Sequence, residues 1–207
     1  MPKTYNKDPL LNTISKALEI WIRSQCKSIE NIDIKIESSS SEIFKGQISS
    51  VIINANKINF RNLEINKVKL KSGKILFNLF RAPKKLISRP FNLKGGISLT
   101  DRNLNQIIQN KSWIWIRNWF SDELLLKQKI YELSISSEKI KIIYKADGSG
   151  KYKEDYLSIK VSKDTLLIKN NSLLKESMLP MDPSIRIKGC QVQNKELLID
   201  FESEVTV

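Results

Sequence analysis

Between Ile65 and Thr100 the chain carries nine cations and no carboxylate: Lys67, Lys69, Lys71, Lys74, Arg81, Lys84, Lys85, Arg89 and Lys94. Set among them are Leu76, Phe77, Leu79, Phe80, Leu86, Ile87, Phe91 and Leu93. The chemistry open to such a block is recognition rather than bond breaking. It suits a surface that is both anionic and apolar, and a phospholipid membrane is one. Each Lys or Arg near such a membrane contributes about 1 kcal/mol, and buried apolar area adds to that. Two readings compete: nucleic acid, whose phosphates attract the same charges, and a solvated basic face over ordinary core residues.

A second group is Trp113-Ile114-Trp115-Ile116-Arg117-Asn118-Trp119-Phe120. Tryptophan favours membrane interfaces because one end of the ring is apolar and the other donates a hydrogen bond. The same rings could plug one end of a curled sheet. An exposed ring lying beside the basic segment would join the two groups into one docking surface.

Residues suited to catalysis are sparse. There is no histidine, which removes the commonest general base at neutral pH and the usual nucleophile and zinc constellations. The adjacent acids Asp122-Glu123 and Glu154-Asp155 point apart on a helix or strand, so neither pair forms a shared site. The first pair reads as the start of a short helix, the second as the edge of a turn. Cys26 and Cys190 are far apart and read as reduced, buried thiols. Lys94-Gly95-Gly96 lacks the rest of a phosphate loop. The expectation is a protein without catalytic residues, metal or cofactor.

The elements that must position these groups follow from periodicity. Asp8-Pro9 opens a helix over about 9–26. Leu11, Ile14, Leu18, Trp21, Ile22 and Cys26 form its apolar stripe, taken as core. From about 31 to 79 the period is two, as in Ile32, Ile34 and Ile36, which reads as antiparallel strands. Pro83 and Pro90 interrupt this, so 80–94 reads as a basic loop. Thr100 caps a second helix over about 101–112, and a second run of strands spans about 130–205. Ala146–Lys153 reads as a hairpin turn and 170–184 as a polar connection. The whole is one α+β domain over 1–207, with a long curved antiparallel sheet. Its apolar inner face must be filled by helices, or by helices and a ligand.

A net charge of +13 and a pI near 9.7 attract polyanions and anionic membranes. No apolar run approaches the length of a bilayer span, and the N-terminus lacks a signal-peptide core. The expected location is cytoplasmic, peripheral on the cytoplasmic face of a membrane.

Three blocks then carry a resemblance. The first is Phe44-Lys45-Gly46-Gln47-Ile48-Ser49-Ser50-Val51-Ile52-Ile53, followed by Leu63-Glu64-Ile65 and Val68-Lys69-Leu70. The second is Ile97-Ser98-Leu99-Thr100 with Leu104-Asn105, an L-T-x-x-x-L-N pattern at a helix start. The third is Ile185-Arg186-Ile187, Val192, Leu197-Leu198-Ile199 and Glu202. In this order and spacing the chain resembles the LmeA-like phospholipid-binding family, a bacterial domain of unknown function. The resemblance implies a tubular lipid-binding-like sheet wrapped around the N-terminal helix, an apolar groove, lipid binding or transfer, and no catalysis. The chain departs from secreted members in lacking an export signal, and 170–184 is shorter than the helix expected there.

On this reading the sheet and the helix bearing Trp21 line the groove. Lys74, Arg81, Lys84, Lys85 and Arg89 meet headgroups. Phe77, Phe80, Leu86, Ile87, Phe91, Trp113, Trp115 and Trp119 enter the interface or the groove. The partners are a phospholipid or glycolipid and an anionic membrane surface. A basic nucleic-acid-binding module and a structural domain with a self-filled groove are the alternatives.

Overall fold

The computed structural model describes residues 8–78, 87–145 and 150–206. Helix α1 (Pro9–Gln25) begins where expected, with the Asp8 side chain accepting from the Leu10 N–H at 2.9 Å. Its Leu11 and Ser15 are buried, and Leu10, Ile14, Leu18 and Ile22 pack beside them. Trp21 does not join this stripe: it is 60% exposed and Ile20 is 70% exposed. At 3.6 residues per turn Trp21 lies about 80° off Leu11, on the flank of the packed face. The expectation that Trp21 is core is therefore corrected.

The strands that follow are β1 (Ser28–Glu37), β2 (Gln47–Ile48), β3 (Ser50–Phe60), β4 (Leu63–Ser72), β5 (Ile75–Leu76) and β6 (Phe91–Leu99). A short helix, α2 (Ser40–Phe44), interrupts the run after β1. Its signal is a capping box, Ser39 with Glu42. Residues 91–94, expected in the basic loop, belong to β6. Helix α3 covers Asp101–Gln109, and a 3₁₀ turn (Lys111–Trp113) leads into α4 (Ile114–Trp119) and a wide turn at Phe120–Leu124. The second helix thus ends before 112, where Asn110 leaves helical geometry. Seven strands complete the chain: β7 (Lys129–Ser136), β8 (Lys139–Lys145), β9 (Tyr152–Ser162), β10 (Thr165–Asn170), β11 (Lys175–Met178), β12 (Ile185–Gln193) and β13 (Glu196–Val205). Strand β11 lies inside the expected polar connection, and Tyr152 and Lys153 lie in β9 rather than in a turn.

These strands form two open antiparallel sheets and a small ribbon, with no closed barrel. The larger sheet runs β1-β3-β4-β6-β13-β12, the smaller β11-β10-β9-β8-β7, and β2 pairs with β5. The split falls where α3 and α4 carry the chain away after β6.

Register explains the larger sheet. Ile34, Ile53, Leu70, Gly95, Phe201 and Ile187 are partners in one row across all six strands. Ile32, Ala55, Val68, Ile97, Ile199 and Cys190 form the next in-phase row. Side chains alternate along a strand, so both rows lie on one face. Helix α1 covers the β1–β3 end of this face, in a core built from Leu11, Ile32, Ile34, Ile36 and Val51. A second core, with Leu104, Ile108, Ile142, Leu157 and Ile187, joins the other end to α3 and the smaller sheet.

Helix α3 ties the two sheets together. Thr100 and Asn103 form its capping box. The Asn105 amide donates to the Leu133 carbonyl at 2.7 Å and accepts from the Leu133 N–H at 3.0 Å. The Asp101 carboxylate accepts from the Ile135 N–H. Side chains of α3 thus take the place of a neighbouring strand along the edge of β7.

Candidate functional site

Part of the inner face lies between the two cores. Leu70, Phe91, Leu93 and Val205 share the inward phase of their strands, are partly exposed, and belong to neither core. Phe201 bounds this floor. Its ring lies over Gly95, where a Cβ would sit 2.7 Å from the ring Cε1 and 2.8 Å from Leu70 Cδ2. The glycine leaves room for the aromatic ring opposite it.

The open floor meets the basic segment at the start of β6. Lys74 and Arg89 are exposed, and Phe77 is half-buried and bridges to Ile87. The Ser88 N–H donates to the Leu76 carbonyl at 2.8 Å. Phe80, Arg81, Lys84, Lys85 and Leu86 lie outside the described residues.

The nine cations divide by position. Lys67, Lys69, Lys71 and Lys94 project from the outer face of β4 and β6. Three of them meet acids of other strands in the sheet: Lys67 with Glu196 at 3.1 Å and Lys71 with Glu37 at 3.3 Å, each two strands away, and Lys94 with Glu202 on the adjacent strand at 2.8 Å. The Lys94 bond holds the Glu202 carboxyl below its ordinary range, and bonds from Lys35 and Lys71 do the same for Glu37. Burial alone would raise Glu196; bonds from Ser98, Lys67 and Asn66 override it and leave it lowered. Such exposed pairs add little stability, but they offset charge on the outer face. The other five, Lys74, Arg81, Lys84, Lys85 and Arg89, fall between β4 and β6 in the chain.

The tryptophans stand at the opposite end of the sheet. Trp119 packs edge-on against buried Phe120, with centroids 5.1 Å apart. Trp113 is half-buried, and its Nε1–H donates to the Arg61 carbonyl, in the β3–β4 turn, at 3.3 Å. Trp115 is 42% exposed and lies 6.5 Å from Trp113. Lys74 and Arg89 lie beyond the other end of β4, whose ten residues span about 33 Å. Among the described residues, the rings therefore do not form one continuous surface with Lys74 and Arg89.

A cavity of about 450 Å³ also lies at the tryptophan end. Ile29, Ile58 and Ile65 supply apolar walls; Glu30, Lys57, Glu64 and Arg102 supply charged ones. Lys57 adopts a left-handed backbone (φ 48°) that breaks alternation, so that Ala55 and Ile58 are both buried.

The remaining reactive groups are held structurally. Asp155 is buried on β9, not at a turn edge; it accepts from the Ser172 hydroxyl at 2.6 Å and the Tyr156 N–H at 2.7 Å. Its neighbour Glu154 faces out toward Lys141 at 3.4 Å. Burial, with Asp200 nearby, pushes the Cys190 thiol up to about 11, and burial also raises Cys26. Both cysteines are free. Among the described residues no three His, Cys, Asp or Glu side chains group as metal ligands, and no helix is long and apolar enough to cross a membrane.

A family model described as LmeA-like phospholipid-binding matches residues 7–202, nearly the whole chain. The chain belongs to the LmeA-like phospholipid-binding family. No curated protein and no solved structure matches it. Membership makes lipid the general ligand class and makes the open floor the feature to explain. It also gives the L-T-x-x-x-L-N pattern of this LmeA-like chain a physical meaning. Thr100 caps α3, Leu104 enters the core, and Asn105 docks on β7.

Sequence reasoning missed Leu70, Leu93, Phe201 and Val205 as floor residues. Their signal is an in-phase apolar row, visible only when the pairing of β6 with β13 is known. Within Lys94-Gly95-Gly96, Gly95 was informative too, as the small residue facing Phe201 rather than as a fragment of a phosphate loop.

Proposed function

We propose that this LmeA-like protein is a non-catalytic phospholipid carrier that docks peripherally on anionic membranes through its basic segment. The observation that carries the reading is the apolar floor of Leu70, Phe91, Leu93 and Val205 opening beside Lys74 and Arg89. Acyl chains would lie on that floor, each buried methylene contributing about 0.8 kcal/mol. Headgroup phosphates would meet Lys74, Arg81, Lys84, Lys85 and Arg89, each cation adding about 1 kcal/mol at an anionic surface. Phe77, Phe80, Leu86, Ile87 and Phe91 would reach into the interface around them. A glycolipid with an anionic headgroup satisfies the same chemistry, and the cytoplasmic face of a membrane is the proposed location.

Native mass spectrometry of the purified protein, followed by solvent extraction, tests the carrier. A stoichiometric phospholipid is the expected result, and a lipid-free mass would count against it. Sedimentation with anionic vesicles tests the docking. Reversing Lys84, Lys85 and Arg89 to Glu should greatly weaken it with the fold intact, and unchanged sedimentation would refute the placement. Salt separates the nucleic-acid alternative, whose affinity falls steeply with ionic strength, whereas an apolar contribution persists.

A further inference from the structure

We propose that the end of the larger sheet opposite the basic segment is a second membrane-docking surface, seated on the interface of an anionic phospholipid bilayer. Three separate elements bring apolar side chains to this end. Helix α1 presents Ile20 and Trp21, the end of β3 presents Phe60, which is 39% exposed, and α4 presents Ile114 and Trp115. Trp21 sits four residues before the helix ends at Gln25, about 6 Å along the helix axis. The Lys27 N–H donates to the Asn59 carbonyl at 2.8 Å, so α1 ends against this turn. From the other side the Asn110 amide donates to the Asn62 carbonyl at 2.8 Å, and Trp113 bonds Arg61. The turn is clamped by both helical segments, so the rings are held and not left on a loose tip.

The charges suit the same partner. Lys27, Arg61 and Lys111 are exposed, and none forms a salt bridge among the described residues. The Arg61 guanidinium lies over the Phe60 ring, 5.3 Å from its centroid. The nearby acids are engaged: Glu30 with Lys57 at 2.7 Å and Glu64 with Arg102 at 3.6 Å. Indoles that combine an apolar ring with one donor, set among free cations, match the layer between acyl chains and anionic headgroups. The cavity lies beside this surface, lined by residues of β1, β3 and β4 and by the start of α3. The ligand class rests on the phospholipid reading above; the surface is a different one.

The test uses full-length protein and vesicles of phosphatidylcholine containing a minority of phosphatidylglycerol. Trp21→Ala and Trp115→Ala should each weaken vesicle binding on the order of tenfold, from lost apolar burial. Trp115→Phe should retain most of the affinity, and unchanged circular dichroism establishes that each variant folds. Tryptophan emission of the wild type should be quenched by lipids labelled in the upper acyl chain. In the charge-reversed variant at Lys84, Lys85 and Arg89 this quenching should persist. Unchanged affinity in the Trp21→Ala, Trp115→Ala double variant, or unquenched emission at saturating vesicles, overturns this surface. Neither result bears on the carrier reading, which fails separately if no lipid co-purifies.

Discussion

Replacing Gly95 with alanine should destabilise the protein by about 2 kcal/mol, within the usual range for overpacking. The sign is the informative part. The backbone of Gly95 lies outside the left-handed region, so alanine fits its conformation. A glycine-to-alanine change in a compatible strand position would ordinarily stabilise by about 0.4–1 kcal/mol. Here the new Cβ would stand 2.7 Å from Phe201 Cε1 and 2.8 Å from Leu70 Cδ2, well inside van der Waals contact. The three offending atoms, Phe201 Cζ and Cε1 and Leu70 Cδ2, are ends of half-buried side chains, so the ring can tilt at a cost and the backbone need not break. For a domain of this size 2 kcal/mol corresponds to a fall in Tm of roughly 4–8 °C. Thermal and urea unfolding followed by circular dichroism measure it. The decisive arm is the Phe201→Leu background, in which Gly95→Ala should become neutral or stabilising. An equal loss in both backgrounds, or no loss in the wild type, would refute the placement of the ring over the glycine.

Asn105→Ala removes both hydrogen bonds to Leu133 and should cost about 2 kcal/mol, since the β7 edge loses its partner; a change near zero in urea unfolding would count against the edge-docking role. Glu42 accepts from the Ser39 N–H, Ser38 and Ser49, and these bonds lower its carboxyl from 4.5 to about 2. A depressed folded-state value stabilises above pH 4.5 and is lost as the pH falls toward 2. The stability gap between wild type and Glu42→Gln should therefore close over that window in a pH series of unfolding curves, and a gap independent of pH would refute the charge account. Cys190, half-buried and pushed up to about 11, should react with a disulfide reagent more slowly at pH 8 in the native protein than after denaturation; native labelling as fast as that of the denatured chain would contradict the raised thiol.

Local rules made much of the fold legible. Asp8 and Pro9 mark the start of α1, and Thr100 marks that of α3, because capping is read over three or four residues. Alternating Ile32, Ile34 and Ile36 disclosed β1 for the same reason. Trp21 misled because a stripe of three- and four-residue steps does not say which flank the sheet covers. Pairing between distant strands was not legible. Leu99 pairs with Leu197 across the sheet, and that pairing sets the floor around Phe201. The basic block was likewise read as one charge of +9 along the chain. Folding sets Lys67 and Lys94 against Glu196 and Glu202, which in sequence look like an acidic tail. Sequence proximity grouped the cations; strand pairing divided them. The exposed rings at the tryptophan end were visible as residue types, but their neighbours Phe60 and Arg61 came from a turn fifty residues earlier.

The Phe201 ring over Gly95 has a metric consequence. Along β6 it stands four residues from Phe91, about 13 Å at the rise of an extended strand. An apolar chain laid along that strand from the Phe91 end meets an aromatic stop at a fixed depth. On the proposed carrier reading, a floor with such a stop would act as a ruler, ranking chains by length before any headgroup is read. The glycine, which has no side chain of its own, is what lets the ruler lie flat, and the choice of residue at 201 sets where its scale ends.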